Sequence, residues 1–117
     1  MNITASTKFS TISFDHIQYI DSGAYTKPYI ATANCIVFWH IEWDCNGNDG
    51  LTMQIIDGSK NVKAEIPIMR DFEGNDSAWM NKNGSIALGP GIGIRFKGAN
   101  AFNTNSGNQL TYVVATN

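Results

Sequence analysis

The sequence predicts an all-β fold: a single domain, residues 1–117, built as an antiparallel two-sheet sandwich, jelly-roll-like, with about eight strands. Three observations carry this. Apolar residues recur at every second position through most of the chain, the signature of strands with one buried face. The runs are separated by clusters of Asn, Gly, Asp and Ser, which form tight turns. No stretch has helical period, and short strands at this spacing close as a sandwich or jelly roll.

Taken in order, Lys8 to Asp21 reads as one or two strands, with Phe9, Ile12 and Phe14, then Ile17, Tyr19 and Ile20, as the apolar positions. Asp21-Ser-Gly-Ala makes a turn. Pro28 marks a sheet edge or strand start because it lacks an N–H, and Tyr29 and Ile30 begin a short strand. Cys35 to Trp43 is the central strand. One face, Cys35, Val37, Trp39, Ile41 and Trp43, is uniformly apolar and points into the core. The other, Ile36, Phe38, His40 and Glu42, passes from apolar to polar along its length, as a face partly covered by a loop or another subunit would.

Asp44 to Gly50 reads as a turn. Leu51 to Asp57 is a strand with Leu51, Met53 and Ile55 on one face and Thr52, Gln54 and Ile56 on the other. Asp57-Gly58 signals a hairpin, and Val62, Ala64 and Ile66 alternate with Lys63, Glu65 and Pro67 on the return. Met69 to Lys82 reads as a long loop, with Asn83-Gly-Ser as a turn. Ile86 and Leu88 form the next strand. After the bend Gly89-Pro-Gly, Ile92, Ile94 and Phe96 alternate with Gly93, Arg95 and Lys97. A polar loop, Gly98 to Asn108, precedes the last strand, Leu110 to Ala115.

Composition narrows function. Only 15% of residues are charged, against about 25% in a typical domain, and amides and hydroxyls supply the polarity. A net charge of −2 with eight Lys plus Arg leaves no basic stripe for phosphates, so nucleic acid is excluded as a partner. No apolar run approaches the ~18 residues of a membrane span. The opening Met-Asn-Ile-Thr-Ala-Ser has no signal-peptide pattern. Cys35 and Cys45 stand at the two ends of an extended run of roughly 30 Å, too far for a disulfide. Both are read as free thiols, which suits a reducing cytoplasm.

Candidate chemistry is sparse. Asp44, Asn46 and Asn48 fit the first alternate positions of a calcium loop, but Asp49 stands where Gly belongs and Ile55 where Glu belongs. An Asx-rich turn accounts for the loop, and no metal or cofactor is expected. Asp71, Glu73 and Asp76 cluster without a cleft to fix them, and His16 and His40 lack the partners of a zinc site or a triad. No enzymatic constellation is present. Trp79 with Phe72 and Met80 offers either an aromatic contact surface or a plug for one end of the sandwich.

A long apolar strand ending in Trp43-Asp44, a strand with Thr52 and Gln54, Trp79, Asn83-Gly-Ser85, and Gly89-Pro-Gly91 before Arg95 follow one another. In this order the chain resembles the small β-sandwich virion proteins of tailed bacteriophages, the capsid decoration and tail-accessory class. The resemblance spans about residues 35–115 and leaves residues 1–30 as a segment that could clasp a neighbouring subunit. It implies a non-enzymatic structural protein of the virion, assembled in the host cytoplasm. It would bind the major capsid protein or another virion protein and its own copies, with a trimer favoured. The expected interface residues are Phe9, Ile36, Phe38, Phe72, Trp79 and Met80. The rival expectation is a small jelly-roll lectin, calcium-dependent through the loops.

Overall fold

The computed structural model describes residues 1–15, 25–45, 50–69, 78–98 and 109–117, with backbone placement alone at 15, 43–45 and 78–80. Among these the elements are β1 (Lys8–Asp15), β2 (Tyr29–Ile30), β3 (Cys35–Cys45), β4 (Leu51–Asp57), β5 (Val62–Met69), β6 (Ala78–Leu88), β7 (Ile92–Gly98) and β8 (Gln109–Thr116). They form two four-stranded antiparallel sheets. The front sheet has the order β1-β8-β3-β6 and the back sheet β2-β7-β4-β5. The pairs β1/β8, β2/β7, β3/β6 and β4/β5 nest inside one another along the chain. A long hairpin rolled over on itself produces this order, which is the jelly-roll arrangement. The fold class expected from the sequence is the one observed.

Alternation in β3 builds the core. Cys35, Val37, Trp39 and Ile41 are at most 5% exposed, while Ile36, Phe38, His40 and Glu42 stand on the opposite side of the strand. The side chain of Trp43, the fifth residue expected inside, lies outside the described residues. Across the sandwich β7 and β4 supply Ile94, Phe96, Leu51 and Met53, all buried. Trp39 rests on Phe96 with ring centroids 4.9 Å apart.

Tyr112 of β8 is the second anchor. It is fully buried, meets Phe14 edge-on and Tyr29 at a tilt, and its hydroxyl donates to the Lys27 carbonyl at 2.8 Å. Burial pushes this phenol far above its ordinary range, so it stays a neutral donor. One side chain thereby ties the front sheet to the chain entering β2. That chain also hugs β7: Thr26 N–H donates to the Phe96 carbonyl, and the Thr26 hydroxyl accepts from Phe96 N–H.

Three expectations about loops are corrected. β3 continues through Asp44 and Cys45, which were read as the start of a turn, because β6 pairs with it to the end. β6 begins at Ala78, so Trp79 and Met80 sit in a strand, opposite Asp44 and Trp43, and not in a loop. Asn83-Gly-Ser is the middle of that strand and not a turn. The reason is visible at Gly84, opposite Trp39 in the register. A Cβ at Gly84 would stand 2.7 Å from the indole Cζ2, so the glycine is there to seat the ring, not to bend the chain.

The Asp57-Gly58 hairpin signal is met by a longer loop. Asp57 Oδ1 accepts from both Ser59 N–H and Asn61 N–H, at 2.8 and 3.0 Å, an Asx turn. The Asn61 donors, backbone first and side chain next, hold this carboxyl below its ordinary range. The residue with left-handed backbone is Lys60 (φ 64°), not Gly58. Relieving that strain with Lys60→Gly should raise stability by about 0.5–1 kcal/mol, the left-handed cost less the added chain entropy of glycine. Conversely, Gly84→Ala should lose about 1–3 kcal/mol by overpacking against Trp39. Urea denaturation measures both, and an unshifted midpoint in either variant refutes its half of this reading.

Candidate interaction surface

The front sheet's outer face is assembled by register. Reading across β1, β8, β3 and β6, one row is Phe9, Ala115, Ile36 and Ala87, and the next is Thr11, Val113, Phe38 and Ser85. The following row is Ser13, Thr111, His40 and Asn83, and then come Gln109, Glu42 and Asn81. Paired residues share a face, and two contacts confirm it: Ser13 and Thr111 hydroxyls lie 3.3 Å apart, and His40 Nε2 lies 3.0 Å from Glu42 Oε1. The face is divided along the strands. Its half nearer the chain ends is apolar, and its other half carries hydroxyls, amides and the half-buried His40–Glu42 contact.

The apolar half is open. Phe9 is 56% exposed and Phe38 36%, Ile36 and Val113 are half-buried, and Ala87 is exposed. Aromatic rings at such levels on a regular sheet are uncommon without a partner, since burying one contributes roughly 1.5–3 kcal/mol. Of the six expected interface residues, the structure brings Phe9, Ile36 and Phe38 together on this face. Trp79 and Met80 are placed by backbone alone at the far end of β6, and Phe72 lies outside the described residues. Within 1–30, Lys8–Asp15 is an integral strand of its own chain's sheet, while residues 1–6 are exposed.

Beside the apolar half, at the same end, a cavity of about 610 Å³ is lined by Met1, Asn34, Cys35, Leu88 and Asn117 among others. Cys35 is a free, buried thiol. Burial raises its pKa, so it presents a protonated, unreactive wall. Among the described residues no group of three or more His, Cys, Asp or Glu could hold a metal. Of the calcium candidates, Asp44 belongs to β3 by its backbone, and Asn46 and Asn48 lie outside the described residues.

The back sheet's outer face holds a constellation the sequence reading passed over. Arg95 on β7 and Gln54 on β4 are paired in the register and are 8% and 3% exposed. Arg95 Nε donates to Gln54 Oε1 at 2.8 Å, and Gln54 Nε2 donates to Glu65 Oε1 on β5 at 2.9 Å. The Tyr25 ring covers the guanidinium at 4.1 Å. One row higher, Ile30 closes over Gly93: its Cδ1 would be 2.5 Å from a Cβ there. The available signal was a polar residue set between two large apolar ones in each strand: Gln54 between Met53 and Ile55, and Arg95 between Ile94 and Phe96. The network is a structural clamp across three strands, its buried cation satisfied by an amide and a ring.

Compared with known proteins, the chain matches no family model, no curated protein and no solved structure.

Arg95→Met should leave Gln54 Oε1 buried without its donor and cost about 1–3 kcal/mol. Adding Gln54→Leu to it should recover part of the loss, as the orphaned acceptor is removed. Chemical denaturation of the single and double variants checks this, and a single variant as stable as the parent refutes it.

Proposed function

We propose that the protein is a non-enzymatic structural subunit that works by adhesion, seating the apolar half of its front-sheet face on another protein. The observation that carries this is the convergence of Phe9, Ile36 and Phe38 from two strands into one open patch. Desolvated aromatic anchors ringed by polar residues are the anatomy of a protein contact. The setting that fits is the outside of a phage particle, with the major capsid protein or another virion protein as the surface bound. Jelly rolls serve as viral shell domains and as lectins alike, so the fold does not choose between them. The patch favours protein, because Ile36, Val113 and Ala115 give a sugar no hydrogen bond.

Phe38→Asp should leave the melting temperature nearly unchanged, since the ring is already partly in water, and should abolish co-sedimentation with purified shells. Equal co-sedimentation of variant and parent would overturn the proposal. Retention of the parent on an immobilised sugar panel, with calcium raising its melting temperature, would replace it with the lectin.

A further inference from the structure

A sheet edge is a row of unpaired N–H and C=O groups, and proteins guard such edges with short strands, bulges, prolines and charges. Of the four edges among the described residues, three follow the rule. β2 has two residues. β5 has register shifts at both ends of its pairing with β4, and carries Lys63, Glu65 and Pro67. β1 has Lys8 and Asp15 at its ends. β6 does not follow it. It runs for eleven residues, Ala78–Leu88, and pairs with β3 at every position without a shift. It contains no proline and a single charged residue, Lys82. Among the described residues its far edge has no strand beside it.

We propose that β6 is the site at which two copies of this chain join, edge to edge and antiparallel, about a two-fold axis at Asn83. The sequence of the strand selects that register. Pairing about Asn83 uses all eleven residues. Asn83 faces its own copy, Asn81 faces Ser85, and Lys82 faces Gly84, which keeps the two ammonium groups from standing opposite each other. Pairing about Lys82 would oppose them directly, and like charges so placed are destabilising. Registers shifted by one residue put apolar and polar faces in opposition. On the outer side the seam is then made of Asn81, Asn83 and Ser85, all exposed in the single chain and able to bond across it. Asn83 against Asn83 gives two amides, each donor and acceptor to the other.

An axis perpendicular to the sheet makes the contact isologous and closed. It yields a dimer, in place of the trimer that the sequence resemblance favoured. It also sets both front faces on the same side of one eight-stranded sheet. The inference stands apart from the adhesive role of Phe38, which lies one strand in from the seam, on β3 beside Ser85.

Sedimentation velocity on the full chain tests it. The parent should show a concentration-dependent species of twice 12.8 kDa. Asn83→Asp and Asn83→Lys should each dimerise roughly fivefold or more weakly, from like charges at the axis. An equal mixture of the two should dimerise at least as tightly as the parent. Asn81→Lys mixed with Ser85→Glu should likewise pair more tightly than either alone, which serves if a charge at residue 83 disturbs folding. Phe38→Asp should dimerise as the parent does, so that loss of adhesion and loss of pairing are read separately. A parent that stays monomeric or forms a trimer, or mixtures no tighter than their components, would overturn the proposal.

Discussion

The tilted packing of Trp39 on Phe96 is the contact on which the rest of this structure depends. It fixes the separation of the two sheets at their centre and the phase of alternation in both. A shift of one residue in β3 would turn Val37, Trp39 and Ile41 outward and bring Phe38, His40 and Glu42 inside. His40 and Glu42 would then be buried where no partner awaits them. This contact also has a requirement of its own, since the indole fits only where β6 has no side chain, at Gly84. Trp39 carries a second cost: its Nε1 is buried and has no acceptor among the described residues. An unmet donor of that kind costs about 1–3 kcal/mol. It is tolerated because the ring buries so much apolar surface against Phe96.

Much of this was legible in the amino-acid sequence, because period-two alternation is a direct image of a half-buried sheet. The inner face of β3, the final strand and the Ile94-Phe96 strand could be read from pattern alone. What could not be read follows from tertiary context. Asn83-Gly84 is a strong local turn signal, yet it lies in mid-strand, because the demand at Gly84 comes from an indole forty-five positions away in sequence (84 less 39). Local preference for strand or turn is weak beside such a packing constraint. Asp44 and Cys45 read as turn residues because charge and a nearby Asn-Gly ended the apolar run. Pairing with β6 carries the strand through them regardless.

Exposure was the other hidden quantity. Alternation in β5 suggests a buried face, but Val62 and Ile66 are 44% and 40% exposed, since β5 is an edge strand whose pairing is interrupted by two register shifts. Period says which residues share a face, and only the sheet order says whether that face is covered. Phe9, Ile36 and Phe38 could be named from the sequence as candidates for a contact, but not as neighbours. Their adjacency exists only because β8 lies between β1 and β3, a consequence of winding the chain as a rolled hairpin.

The two outer faces of the sandwich meet the same problem in opposite ways. A four-stranded sheet with apolar residues on its outer side must cover them or leave them in water. On the back sheet the chain does its own covering: Tyr25 lies on Arg95, Gln54 links Arg95 to Glu65, and Ile30 closes over Gly93. The buried polar groups there, Gln54 and Arg95, are satisfied within the face itself. On the front sheet nothing comparable is built among the described residues. Its polar half is hydrated, and its apolar half is left as aromatic and aliphatic surface on a regular, well-paired scaffold. Stability would be served by polar residues at 9 and 38, where the rings are 56% and 36% exposed. A face that forgoes that gain on one side, while the other side is closed by its own side chains, is the arrangement the proposed adhesive role requires.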